Sequence, residues 1–205
     1  MNWITELPLI AILRGIRPDE VEAHVGALTE AGFDAIEIPL NSPDWARSIA
    51  HLVTTYGDRT LVGAGTVLTP GQVDQLAAMN SRLVVTPNTD AAVIQRAVAQ
   101  GMTVAAGCAT ASEAFAAIQA GAQALKIFPS SAFGPDYIRA LKAVLPADVP
   151  VFAVGGVTPQ NLRAFLAAGC VGAGLGSDLY RPGQPVSRTA EQARAFVAAY
   201  KEAIS

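Results

Sequence analysis

Apolar runs recur along the chain at residues 7–14, 35–40, 61–66, 83–86, 103–106, 124–128, 151–154 and 171–175. Most are rich in β-branched residues or leucine and lack the alternation of a half-exposed strand, the pattern of strands buried on both faces. The stretches between them are helical in character and carry a repeated punctuation. Proline sits just inside the expected helix starts, at Pro18, Pro43, Pro70, Pro135 and Pro159. It is tolerated there because the N–H it lacks would have no partner in the first turn. Glycine sits at the expected helix ends, at Gly32, Gly101, Gly121 and Gly169, each just ahead of the next apolar run. Only glycine enters the left-handed conformation that closes a helix without a steric penalty.

Strand–helix is thus the repeating unit. Strict alternation of the two elements predicts either a closed barrel or an open doubly wound sheet. Eight strands, with a final helix over 189–203, predict a compact (β/α)8 TIM barrel formed as a single domain by residues 1–205. An open sheet would be favoured by G-x-G-x-x-G directly after a strand, and that order is absent. Gly63-Ala64-Gly65 and Gly172-Ala173-Gly174-Leu175-Gly176 approach it only loosely.

Composition tests the picture. Hydrophobic residues make up 51% of the 205 residues and charged residues 15%, with a mean hydropathy of +0.35. Disordered chains have the opposite balance. A membrane span needs about 20 predominantly apolar residues. The longest stretch without a charge, 97–112, is shorter and holds two glycines and a glutamine. The start of the chain, Met1 to Pro8, has no basic region ahead of an apolar one and does not read as a secretory signal. Cys108 and Cys170 are in no metal-ligand spacing and read as buried free thiols of a cytoplasmic protein. A formal charge of −3 speaks against a nucleic-acid or anionic-membrane partner.

Barrel chemistry gathers at the C-terminal ends of strands, where this chain places few polar residues. Lys126, one of only three lysines, lies inside the run Ala124-Leu125-Lys126-Ile127-Phe128. Burial favours a neutral amine, which is what a Schiff-base nucleophile requires; a structural ion pair or an anion anchor are the other readings. Glu37 shares a strand with Ile36 and Ile38 but takes the opposite face. If helices cover the isoleucines, Glu37 points into the barrel, to move protons or to neutralise Lys126. Arg14 closes the first strand, as an anchor for a carboxylate or phosphate or as an ordinary surface arginine. Thr66 and Thr86 end the third and fourth strands, where a hydroxyl either holds a substrate oxygen or caps a turn. Gly155-Gly156 and Gly176-Ser177 follow the seventh and eighth strands, the place where many barrels bind phosphate on backbone N–H groups. His24 and His51 lie in helical stretches without ligand spacing and read as packing or surface. No metal set and no Ser/His/Asp arrangement emerges, so the expected chemistry uses neither metal nor cofactor.

Glu37-Ile38-Pro39-Leu40-Asn41-Ser42, Gly63-Ala64-Gly65-Thr66-Val67-Leu68, Thr86-Pro87-Asn88, Leu125-Lys126-Ile127-Phe128-Pro129 and Val154-Gly155-Gly156-Val157 resemble the class I aldolases of the 2-keto-3-deoxy-6-phosphogluconate family. The resemblance spans nearly the whole chain. It implies a trimeric (β/α)8 barrel that cleaves a phosphorylated 2-keto-3-deoxy sugar acid to pyruvate and glyceraldehyde 3-phosphate without a metal. Lys126 would form the imine and Glu37 would shuttle protons. Arg14, Thr66 and Thr86 would hold the carboxylate end, and Gly155, Gly156, Gly176 and Ser177 the phosphate. Pro39, Asn41, Asn88, Ser130 and Ala153-Val154 depart from the gluconate-type pattern and are similar to the branch acting on the C4 epimer. Val154 stands where that pattern has a threonine able to read the C4 substituent. The gluconate epimer, a dual-specificity aldolase, a phosphosugar isomerase or epimerase, and a non-catalytic phosphosugar-binding protein are the rival expectations.

Overall fold

The computed structural model describes residues 7–205; the residues before Leu7, on which the reading of the chain's start rests, lie outside them. Eight parallel strands alternate with eight helices: β1 (Leu9–Ile12), α1 (Val21–Ala31), β2 (Ala35–Pro39), α2 (Trp45–Tyr56), β3 (Leu61–Gly65), α3 (Pro70–Ala78), β4 (Leu83–Val85), α4 (Ala91–Ala99), β5 (Thr103–Cys108), α5 (Ala111–Gln119), β6 (Ala124–Ile127), α6 (Ser130–Lys142), β7 (Val151–Val154), α7 (Leu162–Ala167), β8 (Gly172–Leu175) and α8 (Val186–Ile204). Each strand pairs with its neighbours in sequence, and β1 pairs with β8 through Leu9–Ala173, Ile10–Gly174 and Ala11–Leu175, so the sheet closes. The chain is a (β/α)8 TIM barrel.

Alternation along each strand sorts the core into two layers. Ile36, Ile38, Leu125, Ile127, Val151 and Ala153 face outward into the apolar layer under the helices. Ile10, Ile12, Leu83, Val85, Phe152 and Val154 fill the barrel interior. Side chains at Glu37 and Lys126 share the inward parity, and both meet that interior packing.

The glycines act as read, but the prolines only in part: Pro18, Pro43 and Pro159 stand in the turns two to three residues ahead of α1, α2 and α7 and not inside those helices. Thr69 caps α3 and Thr110 caps α5, each in a reciprocal capping box with the residue three positions on, and Pro70 is the first residue of α3. Gly32, Gly101, Gly121 and Gly169 all take positive φ after their helices. Other boundaries differ from expectation as well, two of them for a visible reason. β5 continues to Cys108 because Gly107 is a strand residue: a Cβ there would lie 2.4 Å from the Pro87 carbonyl carbon. Helical structure after β6 begins at Ser130, before Pro135, and is interrupted at Gly134 (φ 76°, ψ 169°), so Pro135 opens its second part. Among the described residues, no helix is long and apolar enough to cross a membrane.

Candidate active site

Strands two and six of eight lie opposite one another across a closed barrel, so β2 and β6 aim Glu37 and Lys126 at each other from facing walls. Lys126 is 5% exposed and Glu37 is 1% exposed. Burial pulls the Lys126 ammonium below the usual lysine range; the Glu37 charge opposes this and Arg14 adds to it. Burial likewise pushes Glu37 above the usual carboxylate range, against the opposing pull of Lys126 and Arg14. Desolvation leads in both, so each is driven toward its neutral form. Glu37 Oε2 is buried without a hydrogen-bond partner. An orphaned acceptor of this kind is costly and is the sort of exception that marks a reacting site.

Above this pair opens a cavity of about 620 Å³ at the C-terminal ends of the strands. Lys126, Ile12 and Val154 line both the cavity and the packed barrel interior beneath it. The Phe128 ring stands over the lysine, its centroid 5.0 Å from Nζ. On one side are Arg14 and Thr66. Arg14 Nη1 donates to Asn41 Oδ1 at 2.7 Å and to Thr66 Oγ1 at 3.4 Å, which leaves the rest of the guanidinium fork free. Thr66 sits at φ 58°, an uncommon conformation for a threonine. The two glycine turns, Gly155-Gly156 and Gly176-Ser177, also line the cavity, the second beside Arg14 because β8 neighbours β1. Gly155 and Gly156 both have positive φ, and a Cβ on Gly156 would lie 2.5 Å from Ser131 Cβ.

The structure therefore brings Lys126, Arg14, Thr66, Val154, Gly155, Gly156, Gly176 and Ser177 to one cavity, with Glu37 directly below. Thr86 is the exception. It is fully buried and does not line the cavity. Its hydroxyl donates to the Asn88 carbonyl at 2.6 Å and accepts from the Gly107 N–H at 3.0 Å. With that oxygen committed to the β4 turn, Thr86 shapes the wall and its neighbour Pro87 forms it. Of the two readings of Thr86, the hydrogen bonds it makes are those of the turn.

The histidines and cysteines keep clear of the cavity. His51 pairs with Glu22 on the surface at 2.9 Å. His24 is buried against Thr189 and Tyr180. Cys108 and Cys170 are buried free thiols, pushed up to about 12 by burial, and so remain protonated. Sequence reasoning missed Phe128, Tyr180 and Arg181 on the cavity wall and the strut made by Ser130. That hydroxyl donates to the Ile127 carbonyl and accepts from the Val154 N–H, tying the ends of β6 and β7 together. Arg181 carried a usable signal, a charge soon after β8; Ser130 stood out only as a departure from the gluconate-type pattern, with nothing to show its hydrogen bonds.

A barrel with its polar residues gathered at the C-terminal strand ends has the layout of a barrel enzyme. Residues 1–188 match the model of the KDPG and KHG aldolase family. The 2-dehydro-3-deoxy-6-phosphogalactonate aldolase of Escherichia coli (strain K12) is 70% identical over 204 residues, covering 100% of both chains. A solved structure described as native KDPGal superposes with a TM-score of 0.98 at 70% identity, covering 100% of this chain and 99% of the other. A cube-shaped protein cage designed by fusing symmetric oligomeric domains matches at 70% identity and a TM-score of 0.97, over 98% of this chain and 74% of the cage chain. The chain belongs to the KDPG and KHG aldolase family.

Proposed function

We propose that the chain is a class I aldolase that reversibly cleaves 2-dehydro-3-deoxy-6-phosphogalactonate to pyruvate and glyceraldehyde 3-phosphate, with Lys126 as the imine-forming nucleophile. The observation that carries this reading is the buried Lys126 facing the orphaned carboxylate oxygen of Glu37 at the foot of the cavity. The full-length similarity to an aldolase named for that substrate supports the substrate.

The neutral Lys126 amine attacks the C2 carbonyl; the protonated Glu37 carboxyl gives its proton to the departing hydroxyl, so that water leaves, an iminium forms and Glu37 becomes the carboxylate. Glu37 takes the proton of the C4 hydroxyl. The C3–C4 bond then breaks, its electron pair flows into the iminium to give an enamine, and the aldehyde product leaves. Glu37 returns a proton to C3, and hydrolysis releases pyruvate and the free lysine. Burial suits both groups to this cycle: it favours the unprotonated amine and gives the carboxyl a raised affinity for the proton it must carry. Arg14 and Thr66 hold the substrate carboxylate, while the turns at Gly155-Gly156 and Gly176-Ser177 offer backbone N–H groups to the 6-phosphate. Val154 presents only methyl groups where the C4 substituent passes, so it selects by shape.

We further infer that the chain acts in the cytoplasm as a homotrimer. Its buried free thiols support the compartment. The family resemblance supports the trimer, and the use of a 70% identical chain as a symmetric oligomeric domain supports self-association.

Borohydride reduction in the presence of pyruvate is expected to attach a pyruvate-derived adduct to Lys126, read by peptide mass spectrometry. Cleavage should survive chelation by EDTA. An unlabelled Lys126 with intact turnover would overturn the mechanism. In a coupled pyruvate assay, kcat/KM should be higher for the galactonate-derived substrate than for its C4 epimer; the reverse order would reassign the substrate.

A further inference from the structure

The segment between β8 and α8 forms one side of the cavity through Gly176, Ser177, Tyr180, Arg181 and Pro182. It is internally cross-linked. The Leu179 and Tyr180 N–H groups both donate to the Gly176 carbonyl at 2.9 Å, and Arg181 Nε donates to the Ser177 carbonyl at 2.8 Å. These bonds set the shape of the turn but not its place on the barrel. Its place depends on a buried polar relay running behind it to α1 and α8.

Tyr180 is 2% exposed, and its hydroxyl donates to Glu20 Oε1 at 3.0 Å, at the start of α1. The same carboxylate oxygen accepts from the Arg17 N–H. The ring of Tyr180 meets the edge of His24, with centroids 5.0 Å apart and planes at 81°. His24 Nδ1 lies 2.7 Å from Thr189 Oγ1, and Gln184 Nε2 donates to that same hydroxyl at 2.7 Å. The Thr189 hydroxyl thus ties Gln184 and His24 together, with one hydrogen to give and two lone pairs to receive. Burial holds His24 below the usual histidine range. Gln184 also donates to the Leu179 carbonyl at 3.0 Å. The relay so joins the turn at residues 179, 180 and 184 to both helices flanking β1.

We propose that Tyr180, through Glu20 and His24, is a positioning residue for the phosphate end of the substrate. This rests on the reading of the Gly176-Ser177 turn as half of the phosphate site. Tyr180 does its work from behind the turn: it holds Gly176 and Ser177 at the distance from Gly155 and Gly156 that two-sided binding of one phosphate requires. Lys126 and Glu37 stand on β6 and β2 and do not depend on the relay.

The test is steady-state kinetics of the full-length enzyme with the phosphorylated keto acid and its dephosphorylated analogue. Tyr180→Phe keeps the ring contact with His24 and loses the hydroxyl. It is expected to raise KM for the phosphorylated substrate about tenfold, which is ~1.4 kcal/mol, with kcat within about twofold of wild type, and to leave kcat/KM for the analogue unchanged. Glu20→Ala, made at the partly exposed end of the link, is expected to reproduce the KM rise, and the double variant to add nothing further, as for two members of one contact. A Tyr180→Phe enzyme that keeps the full wild-type preference for the phosphate, a loss shared equally by both substrates, or additive effects of the two variants would each overturn the proposal. A wild-type enzyme that fails to prefer the phosphorylated substrate would instead overturn the phosphate site itself.

Discussion

Gly65 owes its place to a side chain on the neighbouring strand. A Cβ at Gly65 would stand 1.7 Å from Glu37 Oε2 and 2.5 Å from its Cδ, so the carboxyl group occupies the space that any other residue would fill. Gly65→Ala is therefore expected to push the carboxylate out of line with Lys126. The loss in kcat should approach that of removing a general acid–base group, about 10²–10⁴-fold, with borohydride trapping of pyruvate on Lys126 retained. A kcat within tenfold of wild type would show that Glu37 has room to spare. At this scale the sequence was informative where rarity met burial. Three lysines and one strand-bound glutamate left little choice, and parity with Ile36 and Ile38 correctly pointed Glu37 inward. Gly65 was legible only as part of a loose glycine motif, because its reason is a contact across strands that no local pattern encodes.

Strands and turns tell a different story at Thr86. A threonine at a strand end offers one hydroxyl, and sequence cannot say whether substrate or backbone receives it. Here the backbone does, on both sides: the hydroxyl bridges the Asn88 carbonyl and the buried Gly107 N–H, and so joins β4 to β5. Thr86→Val preserves the shape and strands both partners. It is expected to cost about 1–3 kcal/mol, seen as a lower urea midpoint with an unchanged denaturant slope. The same limit explains β5. Gly107 reads as a breaker in one dimension, whereas in the barrel it is a strand position where a side chain would collide with the β4 turn. Glycine at the helix ends, whose effect is confined to its own φ, was legible for the opposite reason, whereas Pro18, Pro43 and Pro159 mark the turn before a helix and not its first residues.

For the molecule as a whole, the buried pair is a liability in stability. The native state holds a proton on Glu37 more tightly than the unfolded chain, whose ordinary value is 4.5, and holds one on Lys126 less tightly than the ordinary 10.5. Stability thus falls as pH rises from 4.5 through the raised Glu37 value, and recovers as pH rises from the lowered Lys126 value toward 10.5. Replacing both groups, as in Glu37→Gln with Lys126→Met, is expected to abolish turnover and raise stability by up to about 4 kcal/mol. The gain should be largest near neutral pH and shrink toward either limit, as followed by chemical denaturation across pH. The fold class was legible because an eightfold strand–helix alternation has so few closed solutions.

The pairing of β1 with β8 also sets a schedule for biosynthesis. Leu9, Ile10 and Ala11 bond to Ala173, Gly174 and Leu175, so the first strand made waits for the last. At synthesis rates of about 5–20 residues per second, that wait is roughly ten to thirty seconds. Throughout it, the nascent chain carries an open, apolar strand edge of the kind that templates aggregation. Arg14, at the end of β1, comes to lie beside Gly176-Ser177, at the end of β8, only when the barrel shuts. The polypeptide acquires a usable substrate pocket in the same event that removes its exposed edge, and nascent chains that stall before β8 are both inactive and adhesive.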